Sequence, residues 1–221
     1  MTELHAPRTG SPLPRDFYAS DGLTLARDLL GKILVRREGE RAAACVITET
    51  EAYMGIVDRA SHAWGGRRTE RTETMYRAGG VSYVYLIYGL YACMNITANE
   101  EGNAEAVLIR AGFPAEGRDL MLENLRRTSR AKKAAFPDSP DAWSGKEWAA
   151  RLSGPGRLCS AMGITRADNG RTLYGDPDFF LSDRGIRPET VLTGPRIGID
   201  YAGEDREKPW RFLWEADGRI D

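Results

Sequence analysis

Residues 82–98 read SYVYLIYGLYACMNITA, and this stretch decides how the chain folds. Aromatic and β-branched residues dominate it on both sides of Gly89 and Leu90, which is the composition of two β-strands joined by a tight turn. Four of the nine tyrosines in the chain lie here, namely Tyr83, Tyr85, Tyr88 and Tyr91. The sequence therefore predicts a β-hairpin that carries a concentration of aromatic rings.

The rest of the chain predicts more strands, with helices between some of them. Strands are expected at KILVRR (32–37), AAACVITETEAY (42–53) and EAVLIRAGFP (105–114), with FFLSD, TGPRIGID and WRFLWE as further candidates. Apolar periodicity and glycine stops predict helices over 22–31, 118–130 and 156–162. The pattern favours an α+β fold: a single domain with a mainly antiparallel curved sheet, surrounding helices and a protruding β-hairpin.

The length of 221 residues suits one domain with a sizeable core. Residues 1–14 are rich in proline and small polar residues, so they predict a flexible N-terminal arm before the domain proper, 15–221. Residues 131–148 predict an inserted polar loop. Within it, Ser144 and Glu147 have the spacing of a capping box ahead of a short helix.

Composition argues against several classes of protein. Three cysteines without CxxC spacing and only two histidines argue against a zinc or iron–sulfur site, so no metal and no cofactor are expected. Neither a membrane-spanning run nor a secretory signal is present in the sequence pattern. The expected location is therefore the cytoplasm, at the nucleoid in a bacterium, or the nucleus in a eukaryote.

The distribution of charge bears on nucleic-acid binding. A net charge of −1 counts against a non-specific nucleic-acid coat protein. Basic residues nevertheless cluster in two places, one with Arg67, Arg68, Arg71 and Arg77 and the other with Arg126, Arg127, Arg130, Lys132 and Lys133. Each cluster can be a face for phosphate groups or an ordinary solvated surface, and the sequence leaves both open.

An acid beside aromatic rings is what hydrolysis of a bond to a flat base requires, since rings hold the base and the acid activates water. Glu49 and Glu51 are two residues apart in ITETEAY, so they share one face of an extended strand. Taken alone, both can equally be solvated acids at the end of a strand.

Several motifs in a fixed order resemble one known family. They are ETEAYMG, ASHAWGG, YVYLIYGLYACMN and AVLIR, flanked by LARDLLGKILVRR, GPGRLCSAMGI and PRIGIDYAGEDREKPWRF. From about Leu25 to Phe212 the chain is similar to the alkyladenine (3-methyladenine) DNA glycosylases of base-excision repair. The resemblance implies a monofunctional enzyme that flips alkylated or deaminated purines out of duplex DNA. It hydrolyses the N-glycosidic bond with activated water and leaves an abasic site.

The resemblance also implies roles for particular residues. Glu51 corresponds to the general base, and Arg110 to the arginine that helps to hold the attacking water and to organise that glutamate. The rings that sandwich the flipped base correspond to Tyr53, His62 and Tyr85.

Further roles concern specificity and the duplex. Asn95 corresponds to the side chain that obstructs the exocyclic amino group of guanine. Tyr88 corresponds to the hairpin residue that fills the gap left in the duplex. The candidates for contact with the DNA backbone are Arg67, Arg68, Arg71 and Arg196.

The chain departs from the family pattern at Glu70, where relatives often carry proline, and in residues 131–148, which do not align. The expected partner is double-stranded DNA that contains damaged purines, and the expected state is a monomer. Two alternatives stay open at this point: a hydrolase of free nucleosides or small glycosides, and a non-catalytic module that binds damaged DNA. The sequence does not rank hypoxanthine, ethenoadenine, 3-methyladenine and 7-methylguanine as lesions.

Overall fold

The computed structural model of the protein describes residues 10–87, 89–129 and 136–214. Over these ranges eight strands form one sheet, and neighbouring strands are antiparallel. The strands are β1 (Ile33–Glu38), β2 (Arg41–Tyr53), β3 (Ser82–Ile87), β4 (Tyr91–Ala98), β5 (Glu105–Glu116), β6 (Phe179–Ser182), β7 (Val191–Gly194) and β8 (Arg211–Trp214). The helices are α1 (Gly22–Asp28), α2 (Arg118–Thr128), α3 (Gly145–Arg151) and α4 (Pro155–Met162). The prediction of an α+β fold with a mainly antiparallel sheet is confirmed.

Strand β2 is the centre of the sheet, whose order runs β3-β4-β5-β2-β1-β6. One edge of β2 pairs with β5, and the other edge pairs first with β1 and then, at Glu49–Glu51, with β8. Register shifts against β5 around Ala44, Ile47 and Glu49 mark bulges. Bulges bend a strand and increase its twist, so the sheet curls along β2.

The hairpin of β3 and β4 projects from the sheet, as the sequence predicts. The two strands pair from Ser82 to Ile87, and Gly89 has a φ of +67°, which glycine adopts without strain. The base of the hairpin is buried, whereas Leu90 and Tyr91 at its tip are about half exposed. Tyr88 lies outside the described residues.

Alternation along the strands separates two environments. Val84 joins the main core with residues of α1, α2 and α4, whereas Tyr83 and Tyr85 point to the opposite face of the sheet. The helices therefore cover one face of the sheet, and the rings of Tyr83 and Tyr85 lie on the opposite face. The candidate active site lies on that second face.

One expectation changes once the structure is known. The strand predicted over TGPRIGID is wrong beyond Gly194, where β7 ends. Pro195 has no N–H for a ladder, and Gly198 has a φ of +77°, so the chain turns instead and continues as a 3₁₀ helix over Asp200–Glu207. Residues 54–80 form 3₁₀ turns and loops, consistent with an irregular segment.

The described part of the predicted insertion, 136–148, has a buried side. Its capping box is confirmed: Ser144 accepts a hydrogen bond from the Glu147 N–H, and the Glu147 carboxylate accepts one from the Ser144 N–H. The helix that follows brings Trp148 into the core, where the indole Nε1 donates to the Pro140 carbonyl at 3.1 Å. This segment therefore contributes to the core as well as to the surface.

Replacing Trp148 with alanine should lower the free energy of unfolding by about 3–5 kcal/mol, because the side chain is fully buried and leaves a large cavity. The measurement is urea unfolding followed by circular dichroism. Trp64→Ala is the matched control, since Trp64 is 49% exposed, and it should cost about 1 kcal/mol or less. Equal losses in the two variants would contradict the placement of Trp148 in the core.

Candidate active site

The carboxylate of Glu51 is completely buried near the end of β2. Its Oε2 accepts a hydrogen bond from the Tyr53 hydroxyl at 2.8 Å, and its Oε1 accepts one from the Ile197 backbone N–H at 2.7 Å. The Arg110 guanidinium lies 3.4 Å from Oε1. A buried acid without such partners would be costly, so these contacts hold Glu51 in one position.

Burial and hydrogen bonding have opposite effects on the pKa of Glu51. Burial is the largest influence and raises the pKa, while Arg110, the Ile197 N–H and the Tyr53 hydroxyl lower it. Neighbouring Glu49 adds a smaller rise. The net result is a pKa above the usual value of a glutamate, which makes the carboxylate a stronger proton acceptor once it is ionised.

Arg110 connects both acids of the ETE motif. Its Nε donates to Glu49 Oε1 at 3.2 Å, and its Nη1 lies against Glu51. In the β2–β5 register, Glu49 faces Ala111 and Thr50 faces Ile109, so Arg110 is the extra residue of a bulge. A bulge re-aims a side chain. Glu49 also accepts from Arg211 Nη1 of β8 at 3.0 Å, so this acid has two cationic partners.

Aromatic rings line a cavity next to these groups. The cavity has a volume of about 340 Å³, and its walls include Tyr53, His62, Tyr85, Asn95 and Arg110. The size lies at the lower end of the range of about 300–1,000 Å³ for small-molecule sites. The structure therefore brings together all the described residues that the resemblance assigns to the base pocket. Glu51 is not part of the cavity wall itself but contacts two of its residues, Tyr53 and Arg110.

The imidazole of His62 is held between two polar partners. Arg71 Nη2 lies 3.3 Å from His62 Nε2 and can only donate, so Nε2 is the acceptor and Nδ1–H donates to the Tyr83 hydroxyl at 2.9 Å. The His62 and Tyr85 ring centroids are 4.7 Å apart at an interplanar angle of 76°. Burial, followed by the charges of Arg71 and Arg67, lowers the pKa of His62 to about 4. The ring is therefore neutral at pH 7.

Asn95 is a fixed part of the cavity wall. It lies in β4, is almost fully buried, and its Nδ2 donates to the Tyr83 carbonyl at 3.1 Å. A backbone acceptor holds the amide in place, so the side chain presents a rigid surface to whatever occupies the cavity.

The three arginines of the first basic cluster that are candidates for DNA contact, Arg67, Arg68 and Arg71, have different surroundings. Arg71 lines the cavity, with its guanidinium 5.1 Å from the Tyr85 ring centre. Arg68 is exposed and makes a two-pronged ion pair with Glu73 at 2.8 and 2.6 Å. Arg67 is exposed. Arg67 and Arg68 are therefore exposed and lie outside the cavity wall, whereas Arg71 is part of it.

Arg196, which the sequence predicts as a candidate contact with the DNA backbone, lies in an enclosed position. Arg196 is only 4% exposed. Its guanidinium pairs with both oxygens of Asp58, which is also buried, and donates to the Ala52 carbonyl at 2.9 Å. An arginine so enclosed cannot reach the backbone of a bound duplex without breaking these contacts.

Two contributions to the site were missed from the sequence. The Ile197 N–H belongs to a turn within the segment that is predicted as a strand. The only sequence signal for this turn is the pair Pro195 and Gly198. Tyr201 lines the mouth of the cavity and donates from its hydroxyl to the Ala60 carbonyl at 3.2 Å. No pattern in the sequence distinguishes it from a surface tyrosine.

The described residues also bear on metal binding and on membrane insertion. Among them no group of three or more His, Cys, Asp and Glu side chains is arranged to hold a metal ion. Within the same ranges no helix has the length and apolar character needed to cross a bilayer.

Comparison with known proteins gives a consistent result. The family model for methylpurine-DNA glycosylase matches residues 16–218. Relatives carrying the name "Putative 3-methyladenine DNA glycosylase" include one from Desulfitobacterium hafniense (strain Y51), 43% identical over 92% of this chain and 95% of the relative. Others come from Methanocella arvoryzae, at 46% identity over 90% of both chains, and Bacillus licheniformis, at 44% over 91% and 92%.

We expect the His62 imidazole to stay neutral from pH 8 down to about pH 5, because its pKa is lowered to about 4. The measurement is a pH titration of the histidine ring signals by NMR. The His62→Phe variant assigns the signals, since the chain has only two histidines. A midpoint near the ordinary value of about 6.5 would show that the ring is not shielded as described.

Proposed function

Because this chain belongs to the methylpurine-DNA glycosylase family, we propose that it releases damaged purines from double-stranded DNA by hydrolysis, with Glu51 as the general base. As a member of this family the protein is a DNA glycosylase of base-excision repair, and DNA is its substrate. Membership sets aside the two alternatives left open by the residues alone, a nucleoside or small-glycoside hydrolase and a non-catalytic binding module.

The observation that carries the proposal is the position of Glu51 behind the cavity, hydrogen-bonded to Tyr53 at 2.8 Å. A carboxylate oxygen has two lone pairs, and the Tyr53 hydroxyl is the one hydrogen-bond donor found for Oε2 among the described residues. The remaining lone pair can take a proton from water. The negative charge of Glu51 also stabilises the positive charge that develops on the sugar in an oxocarbenium-like transition state.

Arg110 has a compatible role in this proposal. Its cation bridges Glu49 and Glu51 at 3.2 and 3.4 Å and lines the cavity. It favours the ionised form of Glu51 and can donate to the attacking water. The repulsion between the carboxylates of Glu49 and Glu51 is reduced, because the guanidinium groups of Arg110 and Arg211 both donate to Glu49.

The rings supply the energy to hold a base outside the helix. Flipping a base costs a few kcal/mol, least for a damaged or mispaired one. Stacking returns about 1–3 kcal/mol per base. Tyr53, His62 and Tyr85 can therefore offset the cost for a weakly paired lesion. A neutral His62 suits a positively charged alkylated purine, since a protonated ring would repel it.

The contacts with the duplex are proposed as follows. Arg67 and Arg68 neutralise phosphates, and Arg68 exchanges Glu73 for a phosphate on binding. Arg71 acts at the cavity, where it lies on Tyr85. Tyr88, which lies outside the described residues, fills the gap in the duplex in this proposal, the role that the resemblance implies for it. We further propose that the enzyme acts as a monomer and in the cytoplasm.

Replacing Glu51 with glutamine should preserve binding of lesion-containing duplex and slow base release by about 10²- to 10⁴-fold, the range attributed to a general base. The rate is measured under single turnover, in chelator, by alkaline cleavage of the abasic product. Water as nucleophile also predicts that borohydride traps no covalent adduct between protein and DNA.

Glu49→Gln is the matched control, because Glu49 shares the strand and contacts Arg110 without touching Tyr53. It should slow release much less than Glu51→Gln. Ordinary turnover by Glu51→Gln together with an inactive Glu49→Gln variant would move the general base to Glu49.

Asn95→Ala should improve the release of guanine-type bases relative to hypoxanthine, because the fixed side chain no longer meets the exocyclic amino group. The comparison uses 7-methylguanine and hypoxanthine in the same duplex sequence, with single-turnover rates for each. Leu108, opposite Asn95 on β5 and also in the cavity wall, provides a control substitution, Leu108→Ala, that enlarges the cavity without removing the amide. An unchanged preference in Asn95→Ala would contradict this specificity role.

A further inference from the structure

Arg196 and Asp58 form a fully buried ion pair beside the active site. The two side chains have no exposed area, and Arg196 Nη2 donates to Asp58 Oδ1 at 2.8 Å, with Nη1 bound to the second oxygen. Burying two charges is expensive, and hydrophobic replacements of such a pair are often as stable. A buried pair is therefore weak evidence for stability, and its contacts indicate another role.

The contacts of Arg196 converge on the strand that carries the acid. Arg196 Nη1 donates at 2.9 Å to the carbonyl of Ala52, the residue between Glu51 and Tyr53. The next residue along the turn, Ile197, donates its N–H to Glu51 Oε1 at 2.7 Å. Two consecutive residues thus attach the turn to consecutive residues of β2.

The same guanidinium lies between two aromatic rings. Its central carbon is 4.8 Å from the ring centre of Tyr53 and 4.9 Å from that of Trp210. Cation–π contacts of this kind are strongest when desolvated. Arg196 therefore contacts the ring of Tyr53, while Glu51 accepts a hydrogen bond from the Tyr53 hydroxyl. Through Tyr53, Arg196 stabilises both the cavity wall and the position of the acid.

We propose that Arg196, held by Asp58, is a positioning residue for hydrolysis: it fixes the turn that delivers the Ile197 N–H to Glu51 and the ring of Tyr53 against the flipped base. The inference rests on the proposed role of Glu51 as general base. Arg196 acts through Glu51 and Tyr53, and its guanidinium has no place at the reacting atoms.

The proposal predicts a shift in the pH dependence of the rate. Hydrogen bonds to a carboxylate favour its ionised form and lower its pKa. Loss of the Ile197 N–H should therefore raise the pKa of Glu51, and the acidic limb of the rate profile should move to higher pH. The other titratable or charged groups near Glu51 are Glu49 and Tyr53 on its own strand, Arg110 from β5, Arg211 of β8 behind Glu49, and Tyr201 from the 3₁₀ helix. None of them is substituted in the variants below.

The main variant is the double substitution Arg196→Met/Asp58→Asn. It removes both charges at once, so no buried charge is left unpaired and none acts on Glu51 from the position of Asp58. The single amide oxygen introduced at position 58 replaces only one of the two carboxylate oxygens, which accept from the backbone N–H groups of Ala60 at Oδ1 and Met54 at Oδ2. The protein should fold with a melting temperature a few degrees below that of the wild type, because one backbone N–H loses its acceptor.

For this double variant we expect single-turnover base release to fall by about 10- to 100-fold, less than the loss attributed to removal of a general base itself. The acidic limb of its pH–rate profile should lie at higher pH, while the dissociation constant for lesion duplex changes little. Arg196→Lys, which keeps a charge for Asp58 but lacks the planar fork, should show the same shift in weaker form. Asp176→Asn is the control: it breaks the Arg171–Asp176 pair, outside the cavity wall, and should leave the limb in place.

A folded double variant with the wild-type rate and an unshifted acidic limb would overturn the positioning role. So would a double variant that does not fold, because the pair would then serve stability. Both results differ from failure of the proposed function, which would appear as ordinary turnover by Glu51→Gln with Arg196 intact.

Discussion

The buried carboxylate of Glu51 is the constraint on which the rest of the site depends. A carboxylate without exposed area is tolerated only when hydrogen-bond donors and a cation replace water. Here they come from three directions: Tyr53 on the same strand, Arg110 on β5 and the Ile197 N–H on the turn after β7. Each of these groups also borders the cavity. The groups that satisfy the hydrogen bonding of this one acid therefore also form the wall of the pocket in which a base can be held.

The curvature of the sheet makes this assembly possible. Bulges between β2 and β5 turn Arg110 toward both Glu49 and Glu51. On its other edge β2 pairs with β1 up to Val46 and then with β8 at Glu49–Glu51. Strand alternation then places Val84 in the core beneath the helices and Tyr83 and Tyr85 on the face of the site. The hairpin thus serves two purposes, since its base supplies rings and its exposed tip extends beyond the sheet toward the expected duplex.

Sequence reasoning was most successful where the signal is local. The hairpin of β3 and β4, the strand ending in ETEAY and the capping box at Ser144 follow from side-chain period and hydrogen-bond chemistry within a few residues. It was wrong where the outcome depends on distant partners. The strand predicted over residues 193–200 ends at Gly194, because Pro195 and Gly198 interrupt the ladder. Trp148 was assigned to a polar loop because its neighbours are polar.

The amino-acid sequence established the fold class, the hairpin, the family resemblance and the set of residues with the chemistry for a base pocket, because motifs, period and turn residues are properties of the chain itself. Only the folded structure determined which charged groups are buried and which groups they pair with. The partner of Arg196 lies 138 residues away along the chain, and the N–H that binds Glu51 lies 146 residues away. Burial and pairing over such separations depend on how the sheet curls, so neither the enclosed state of Arg196 nor the neutral state of His62 could be read from local pattern.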